Sequence, residues 1–190
     1  MADVTPDDDI IAVLMRQHGD IRNLFDEVEH TTGEERRNAF RRLVRLLATH
    51  ETAEEEVIHP YARDTFDGGE EVVAERLTEE REAKELLARL DSMDSDADEF
   101  LRHLGILRTL VMTHARAEER YEFAQVRRHA SRAQLSAMAT AIQAAEATAP
   151  TRPHPGVESA GANIALGPVA AVVDRTRDAM RRAMGKDSTR

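Results

Sequence analysis

Two histidine–glutamate pairs with the same spacing, His50/Glu54 and His114/Glu118, lie at matching places in the two halves of the chain. In each half, apolar residues precede the histidine by three, four and seven positions. A spacing of four brings an imidazole and a carboxylate to one face of a helix, and the apolar spacing indicates that this face points inward. A buried pair of this kind needs a partner, and a metal ion satisfies both groups at once.

Each half also carries one polar residue on the apolar face of an earlier helix. His18 lies 32 residues before His50, and Glu80 lies 34 residues before His114, each among apolar residues at nearly the same offsets. The sequence therefore predicts a duplicated helical hairpin, in which each hairpin contributes one inward polar residue and one inward pair. The candidate metal ligands are His18, His50, Glu54, Glu80, His114 and Glu118.

These residues also have ordinary structural interpretations. A single histidine–glutamate pair on a helix is most often a solvated contact, but two pairs on a leucine-rich face favour a metal. His18 alone would suit a satisfied core histidine, and its place in the repeat favours a ligand. Glu80 stands in a charged run that also suits a solvated face. A small shift in the alignment of the two halves would place Arg81 or Glu82 at its position. Lys84, one turn later, would then pair with Glu80 and support it behind the metal.

Other polar residues near the pairs are interpreted from their position on the helix. Tyr121 shares the predicted ligand face, where its ring packs in the core or its hydroxyl bonds a liganding carboxylate. His103 lies about 16 Å from His114 by helix rise, too far to bind the same centre. Glu55 and Glu119 lie about 100° around the helix from the ligand glutamates and are expected to flank the site. The histidines expected at the surface are His30, His59, His129 and His154.

The composition excludes several classes of protein. There is no cysteine among the 190 residues, which excludes disulfides, thiolate metal sites and cysteine nucleophiles. No run approaches the roughly 18 apolar residues of a membrane span, and no signal peptide precedes the first helix, so we expect a cytoplasmic protein without firm membrane association. A net charge of −10 argues against nucleic acid as the main partner. Aromatic residues make up only 4%, which is typical of an aliphatic bundle core.

Helix signals divide the chain into long helices joined by short connections. Thr5-Pro6 marks the first helix start, Gly68-Gly69 is the clearest break, and Pro60 is expected to end or kink the second helix. No run alternates with the period of a strand. We therefore predict an all-α protein, an up-down-up-down four-helix bundle followed by a short fifth helix. The predicted helices span about 6–30, 33–66, 70–92, 96–129 and 132–147.

The C-terminal part differs in composition from the bundle. We place the bundle at 1–147, a Pro/Gly-rich flexible linker at 148–168 and a basic amphipathic helix in 169–190. Residues 151–190 carry a local charge of +3, which leaves −13 on residues 1–150. The tail therefore suits docking on its own or a neighbouring bundle, or weak attachment to an anionic membrane surface. Its basic residues include Arg175, Arg177, Arg181 and Arg182.

The motifs over residues 10–125 resemble the hemerythrin-like HHE cation-binding family. The resemblance rests on His18, on His50-Glu51-Thr52-Ala53-Glu54 with the acidic run after it, and on the echo ending in His114-Ala115-Arg116-Ala117-Glu118. It implies a four-helix bundle that holds two non-haem irons, oxo- or hydroxo-bridged, with zinc or manganese as possible substitutes. It further implies that Glu54 and Glu118 bridge the irons and that one iron keeps a position open for O2, hydrogen peroxide or nitric oxide.

One departure from the family pattern bears on function. Glu80 stands where the second leading histidine is expected, so the site offers three histidines and three carboxylates. Carboxylate-rich sites of this kind resemble di-iron proteins that react with O2 or peroxide. We therefore expect peroxide decomposition or a role in oxidative stress, and not reversible O2 carriage. The alternatives are a protein that binds or senses O2, nitric oxide or iron without turnover, and a metal-free interaction bundle.

The division of the chain yields a first prediction. A chain truncated after Ala147 should keep its bound iron and its near-ultraviolet absorption, because every candidate ligand precedes residue 125. Metal analysis and an absorption spectrum of the truncated and full-length proteins provide the check. Loss of iron on truncation would show that the tail belongs to the core and that the predicted boundary is wrong.

Overall fold

The computed structural model describes residues 9–146, which are almost wholly helical and contain no strand. The α-helices are α1 (Ile10–His30), α2 (Gly33–Ala53), α3 (His59–Thr65), α4 (Gly69–Asp91), α5 (Asp98–Ala117), α6 (Phe123–His129) and α7 (Arg132–Glu146). Two π-helical turns, Glu54–Ile58 and Glu118–Glu122, join α2 to α3 and α5 to α6. The predicted all-α bundle with a fifth helix is confirmed. The predicted linker and tail lie outside the described residues.

The bundle consists of two helical hairpins packed together, as the duplication predicts. Helix α1 packs along α2, α4 packs along α5, and α1 also contacts α5. Helix α7 folds back against α1 and the end of α2. Within residues 9–146, none of the helices has the length and apolarity needed to cross a membrane.

Helix ends are fixed by particular polar contacts. The Asp9 carboxylate accepts a hydrogen bond of 2.8 Å from the Ile11 N–H and caps α1. At the α1–α2 connection, the buried Arg36 guanidinium donates to the carbonyls of Val28, Thr31 and Ser95. Because Ser95 lies between α4 and α5, Arg36 ties the connections of both hairpins together at one end of the bundle.

Two apolar clusters leave a polar layer between them. One fills the bundle between α1, α2, α4 and α5 and includes Phe25, Leu47 and Phe100. The other joins the start of α1, the π turn after α2, and helices α3, α6 and α7, and it includes Leu14 and Ile142. Along α1 and α2 the membership changes from one cluster to the other across His18 and His50. The candidate ligands therefore lie in a layer that is closed by apolar packing on both sides.

Pro60 does not end the second helical run. The helix continues past it to Thr65, because the π turn before it replaces the ordinary hydrogen-bond pattern and His59 N–H bonds to Glu54 O. An equivalent π turn forms in the second half, where Ala124 takes the place of Pro60. Proline is therefore not required for the π turn, which belongs to both copies of the hairpin.

The close approach of α3 and α4 yields a second prediction. A Cβ atom at Gly69 would lie 2.1 Å from the backbone oxygen of Ala62, which cannot move without shifting α3. We expect Gly69→Ala to lower the free energy of unfolding by about 2 kcal/mol, as overpacking does. Gly105→Ala is the matched control: an exposed helical position with no atom within 4 Å, where alanine should stabilise by about 0.5–1 kcal/mol. Thermal unfolding of both variants in one metal state gives the comparison, and a neutral Gly69→Ala would contradict this packing.

Candidate metal centre

The six predicted ligands all lie in the polar layer between the two apolar clusters. Glu54 and Glu118 are fully buried, and His114, the most exposed of the six, is 9% exposed. They come from four helices, so the bundle brings together residues that are up to 100 positions apart in the chain. The structure thus gathers every one of the predicted residues: His18, His50, Glu54, Glu80, His114 and Glu118.

Four of these residues form one compact group of donor atoms. Nε2 of His18 lies 3.2 Å from Nε2 of His50 and 3.4 Å from an oxygen of Glu118. Nε2 of His50 lies 3.4 Å from an oxygen of Glu54. Metal–nitrogen and metal–oxygen bonds of about 2.1 Å at right angles hold donors about 3.0 Å apart. The spacing of this group therefore suits one metal ion.

A second group shares its carboxylates with the first. Donor atoms of Glu54, Glu80 and His114 lie within 4.8 Å of one another. Nε2 of His114 also lies 3.3 Å from Glu118, which belongs to the first group. Glu54 and Glu118 thus lie between two adjacent donor sets, as two bridging carboxylates would.

Three histidine rings are oriented by hydrogen bonds on their outer nitrogens. Nδ1 of His18 donates to Glu119 at 2.9 Å, Nδ1 of His50 to Gln17 at 2.7 Å, and Nδ1 of His114 to Glu79 at 2.9 Å. With hydrogen on Nδ1, a neutral ring presents the lone pair of Nε2 to the centre. Such outer hydrogen bonds are typical of metal-bound histidine. The three outer partners Gln17, Glu79 and Glu119 were not predicted as site residues, and Glu119 was expected only to flank.

The inward nitrogens of His18 and His50 need a positive partner between them. Burial lowers the pKa of His50 to about 3, so this ring is neutral. Its Nε2 lone pair then faces Nε2 of His18 at 3.2 Å, where two lone pairs would repel. A proton or a metal ion bound to both nitrogens removes the repulsion.

The carboxylates at the centre lack hydrogen-bond donors. Neither oxygen of Glu54 has a hydrogen-bond partner among the described residues, and the oxygens of Glu118 lie 3.3 and 3.4 Å from imidazole nitrogens of His114 and His18 without a well-aligned hydrogen bond. Buried polar atoms are almost always hydrogen-bonded, and buried charges are paired or bound to metal. A mixed set of imidazole nitrogens and carboxylate oxygens of this kind fits a first-row transition metal.

Lys84 supports the centre from behind, as predicted. Its buried ammonium group contacts Glu55 closely and lies 3.5 Å from Glu80 and 3.6 Å from Glu51. Burial alone would lower the pKa of Lys84, but these three glutamates raise it above its ordinary value, so the charge is kept. Glu55 therefore does more than flank the site, since it is buried and binds the lysine that holds Glu80.

The pKa values of the buried carboxyls diverge in the metal-free chain. Burial, followed by the charge of Glu118, raises the pKa of Glu54 well above its ordinary value. Burial and the charge of Glu55 do the same to the pKa of Glu80. Burial also acts to raise the pKa of Glu118, but the charge of His114 lowers it well below the ordinary value. The metal-free centre therefore holds protons on some carboxyls that a metal ion would have to displace.

Both expectations for Tyr121, a ring packed in the core and a hydroxyl bonded to a liganding carboxylate, are wrong. Its side chain is 58% exposed, and the Arg120 guanidinium lies over its ring at 5.4 Å. The cause is the π turn, in which Phe123 N–H bonds to Glu118 O five residues back. Because the π turn holds one more residue than a regular α-helical turn, Glu122 takes the inward place predicted for Tyr121.

The same change of register brings in two residues that the sequence did not single out. His59 and Glu122 are 1% and 0% exposed, so the prediction that His59 lies at the surface is wrong. Nε2 of His59 lies 3.6 Å from Glu80 and 4.0 Å from Glu122. In a regular α-helix His59 would lie about 180° from His50, so helical periodicity alone excludes it. The sequence feature that could have identified His59 is its position shortly after the glutamates at 54–56, which have few basic residues near them in the sequence.

A narrow opening reaches the centre from one side. It is lined by His18, His50, Glu80 and His114 together with Leu47 and Val111, and it has room for a water-sized molecule. Leu47 and Val111 supply apolar side chains to the wall of this opening. A small ligand can therefore approach the donor atoms along a path that is partly apolar.

Comparison with known proteins identifies relatives of this chain. The family model of the hemerythrin HHE cation binding domain matches residues 9–126. An uncharacterised hemerythrin-like protein of Schizosaccharomyces pombe is 26% identical over 165 residues, 86% of this chain and 80% of that one. The crystal structure of a hemerythrin HHE cation binding domain-containing protein from Mycobacterium kansasii has a TM-score of 0.64 at 19% identity, covering 88% of this chain and 98% of that one. The fold is therefore shared.

A longer relative carries a different name. A DNA nickase of a Nostoc species is 30% identical over 135 residues, which make up 70% of this chain. The matched part is 38% of the Nostoc protein, so this chain spans well under half of that relative. The similarity therefore extends over one part of a larger protein.

The raised carboxyl pKa values yield a third prediction. Metal uptake by the metal-free protein should release protons, because carboxyls such as Glu54 and Glu80 are protonated at pH values where they would ordinarily be ionised. Because these pKa values are raised, the affinity for metal should rise with pH above the ordinary carboxyl pKa of 4.5. It should still be rising where Glu51, with a pKa of about 7, and Glu122, with a pKa of about 8, ionise. Calorimetric titration with Zn2+ in two buffers of different ionisation enthalpy, below and above pH 8, measures the release. Binding without proton release below pH 8 would contradict it.

Proposed function

This chain belongs to the hemerythrin HHE cation-binding domain family, and we propose that its buried centre holds two iron ions that decompose hydrogen peroxide. The observation that carries the proposal is the sharing of Glu54 and Glu118 between two adjacent donor sets. His18 and His50 complete the first set. Glu80 and His114 complete the second set, and both line the narrow opening through which a small ligand would reach the ions.

Iron is proposed on the basis of the donor set and the family together. Imidazole and carboxylate donors also suit zinc or manganese, and affinity alone does not select iron. When bound, an iron pair supplies the electron transfer by which one hydrogen peroxide molecule is oxidised to O2 while another is reduced to two waters. This reaction balances without an added reductant.

The surrounding residues prepare the centre for a small substrate. Leu47 and Val111 line the opening and limit entry of bulk water. The Nδ1 atom of His114, on the side of the ring away from the centre, keeps its proton because it donates to Glu79. Glu79 is 31% exposed and is itself paired with Arg76 at 3.1 Å, so it fixes the ring and connects it to solvent.

The charge balance also favours reaction over reversible O2 carriage. Glu80 takes the place that His18 has in the first half, and Lys84 holds one of its oxygens. Carboxylate donors stabilise the higher oxidation state of a bound metal, because they bring negative charge to it. A carrier requires a stable lower oxidation state, whereas peroxide decomposition uses both.

A fourth prediction tests the iron pair and its reaction. The iron-loaded protein should contain at least two irons per chain and release one O2 for every two hydrogen peroxide molecules consumed. The variants Glu54→Gln and Glu118→Gln should each lose most of the bound iron and at least about 100-fold of the peroxide-decomposing activity. The reason is that each of these carboxylates would bind both ions. Glu82→Gln is the matched control, since Glu82 is exposed on α4 two residues from Glu80.

Metal analysis and an oxygen electrode separate the possible outcomes. Iron bound at the expected stoichiometry without O2 release would contradict peroxide decomposition and favour binding or sensing of a small ligand. A protein that takes up no metal after iron-replete expression would contradict the centre itself. Equal losses in Glu82→Gln and Glu54→Gln would show that the ligand face is wrongly assigned.

A further inference from the structure

We propose that His59, Glu118 and Glu122 form a third metal site, which binds a divalent transition-metal ion beside the iron pair. Donor atoms of these three residues lie within 4.8 Å of one another, and all three side chains are at least 99% buried. This proposal rests on the proposed function in one respect, because Glu118 would bind both this third ion and the iron pair.

His59 and Glu122 lack hydrogen-bond partners in the described part of the chain. Neither ring nitrogen of His59 and neither carboxyl oxygen of Glu122 makes a hydrogen bond to any residue of 9–146. Their own separation of 4.0 Å is too long for a hydrogen bond between them. A buried imidazole and a buried carboxyl left without hydrogen bonds destabilise the fold, and a cation that binds both would satisfy them.

The spacing suits ligands around one ion. With bonds of about 2.1 Å, donors lie about 3.0 Å apart at adjacent positions and about 4.2 Å apart at opposite positions. Nε2 of His59 lies 4.0 Å from Glu122 and 3.6 Å from Glu80, both within this range. One imidazole nitrogen with two or three carboxylate oxygens is a donor set for Zn2+, Fe2+ or Mn2+.

The duplication shows that the bundle does not require polar residues here. His59 follows His50 by nine residues, and the residue nine after His114 is Phe123. Glu122 follows His114 by eight residues, and its counterpart in the first half is Ile58. Phe123 and Ile58 are as deeply buried as their counterparts. The same fold thus accepts apolar side chains at both places, which indicates that His59 and Glu122 serve binding and not packing.

The fifth prediction uses these counterparts as substitutions. Iron-loaded protein is equilibrated with Zn2+ and freed of excess, and iron and zinc are counted together per chain. We expect the total in His59→Phe and in Glu122→Ile to be one ion lower than in the wild type, with the iron of the pair kept. His103→Phe is the matched control, because His103 is a partly buried histidine on α5 outside the layer, and it should match the wild type.

Each outcome decides the proposal. If the wild type and both variants bind the same total of iron and zinc, the proposal is overturned. It is also overturned if each zinc ion taken up replaces an iron ion. Loss of the pair's iron in a variant whose helical circular dichroism is unchanged would assign His59 or Glu122 to the pair and overturn a separate site. If the protein binds no iron but binds one zinc ion that is lost in His59→Phe, the proposed iron pair is contradicted and the third site is supported.

Discussion

Burial of carboxyl groups in the middle of the bundle is the constraint on which the rest of the structure depends. Seven glutamate side chains are buried in or around one layer: Glu51, Glu54, Glu55, Glu56, Glu80, Glu118 and Glu122. Lys84 offsets part of their charge. In a medium of low polarity, this number of buried carboxylates would oppose folding strongly if their charge were not offset. The layer is consistent with a folded protein only if protons or metal ions neutralise it.

The arrangement around the layer follows from that requirement. Apolar clusters close it on both sides, which limits the access of water to the carboxylates, and α7 completes the second cluster. The histidine rings are fixed from outside by Gln17, Glu79 and Glu119, so their inner nitrogens stay available. The two hairpins are joined at the far end by Arg36, which bonds to both connections. Rigid packing and outer hydrogen bonds thus hold a charged centre that would otherwise be unfavourable.

The sequence predicts the bundle and the six converging residues because both depend on helical periodicity. Leucines at fixed offsets from His50 and His114 identify one face of each helix, and duplication identifies His18 and Glu80 by position. Periodicity fails where the helix departs from it. The π turns displace later residues by one place, and this displacement hides Glu122 and His59 and brings Tyr121 to the surface. Neither Glu54–Ile58 nor Glu118–Glu122 contains a glycine or a proline, so the sequence gives no warning of the change.

The outer partners of the histidines could not be predicted for a different reason. Gln17, Glu79 and Glu119 are partly exposed polar residues on helices that carry many others. Only the rotation of each helix about its axis decides which of them reaches a histidine. That rotation is set by packing between helices, through contacts between residues distant in sequence. A single sequence specifies it only through the folded bundle.

The exchange of histidine for glutamate between the two halves makes the centre unequal on its two sides. In the first half, His18 offers an imidazole nitrogen, whereas in the second half Glu80 offers a carboxylate oxygen and contacts Lys84. In a pair held as proposed, the two ions would therefore differ in donor charge and in their ease of oxidation. Filling would be sequential, and a chain with only one ion would be a distinct species. The two similar hairpins thus provide two unequal positions, and in such a pair the two ions would not be interchangeable.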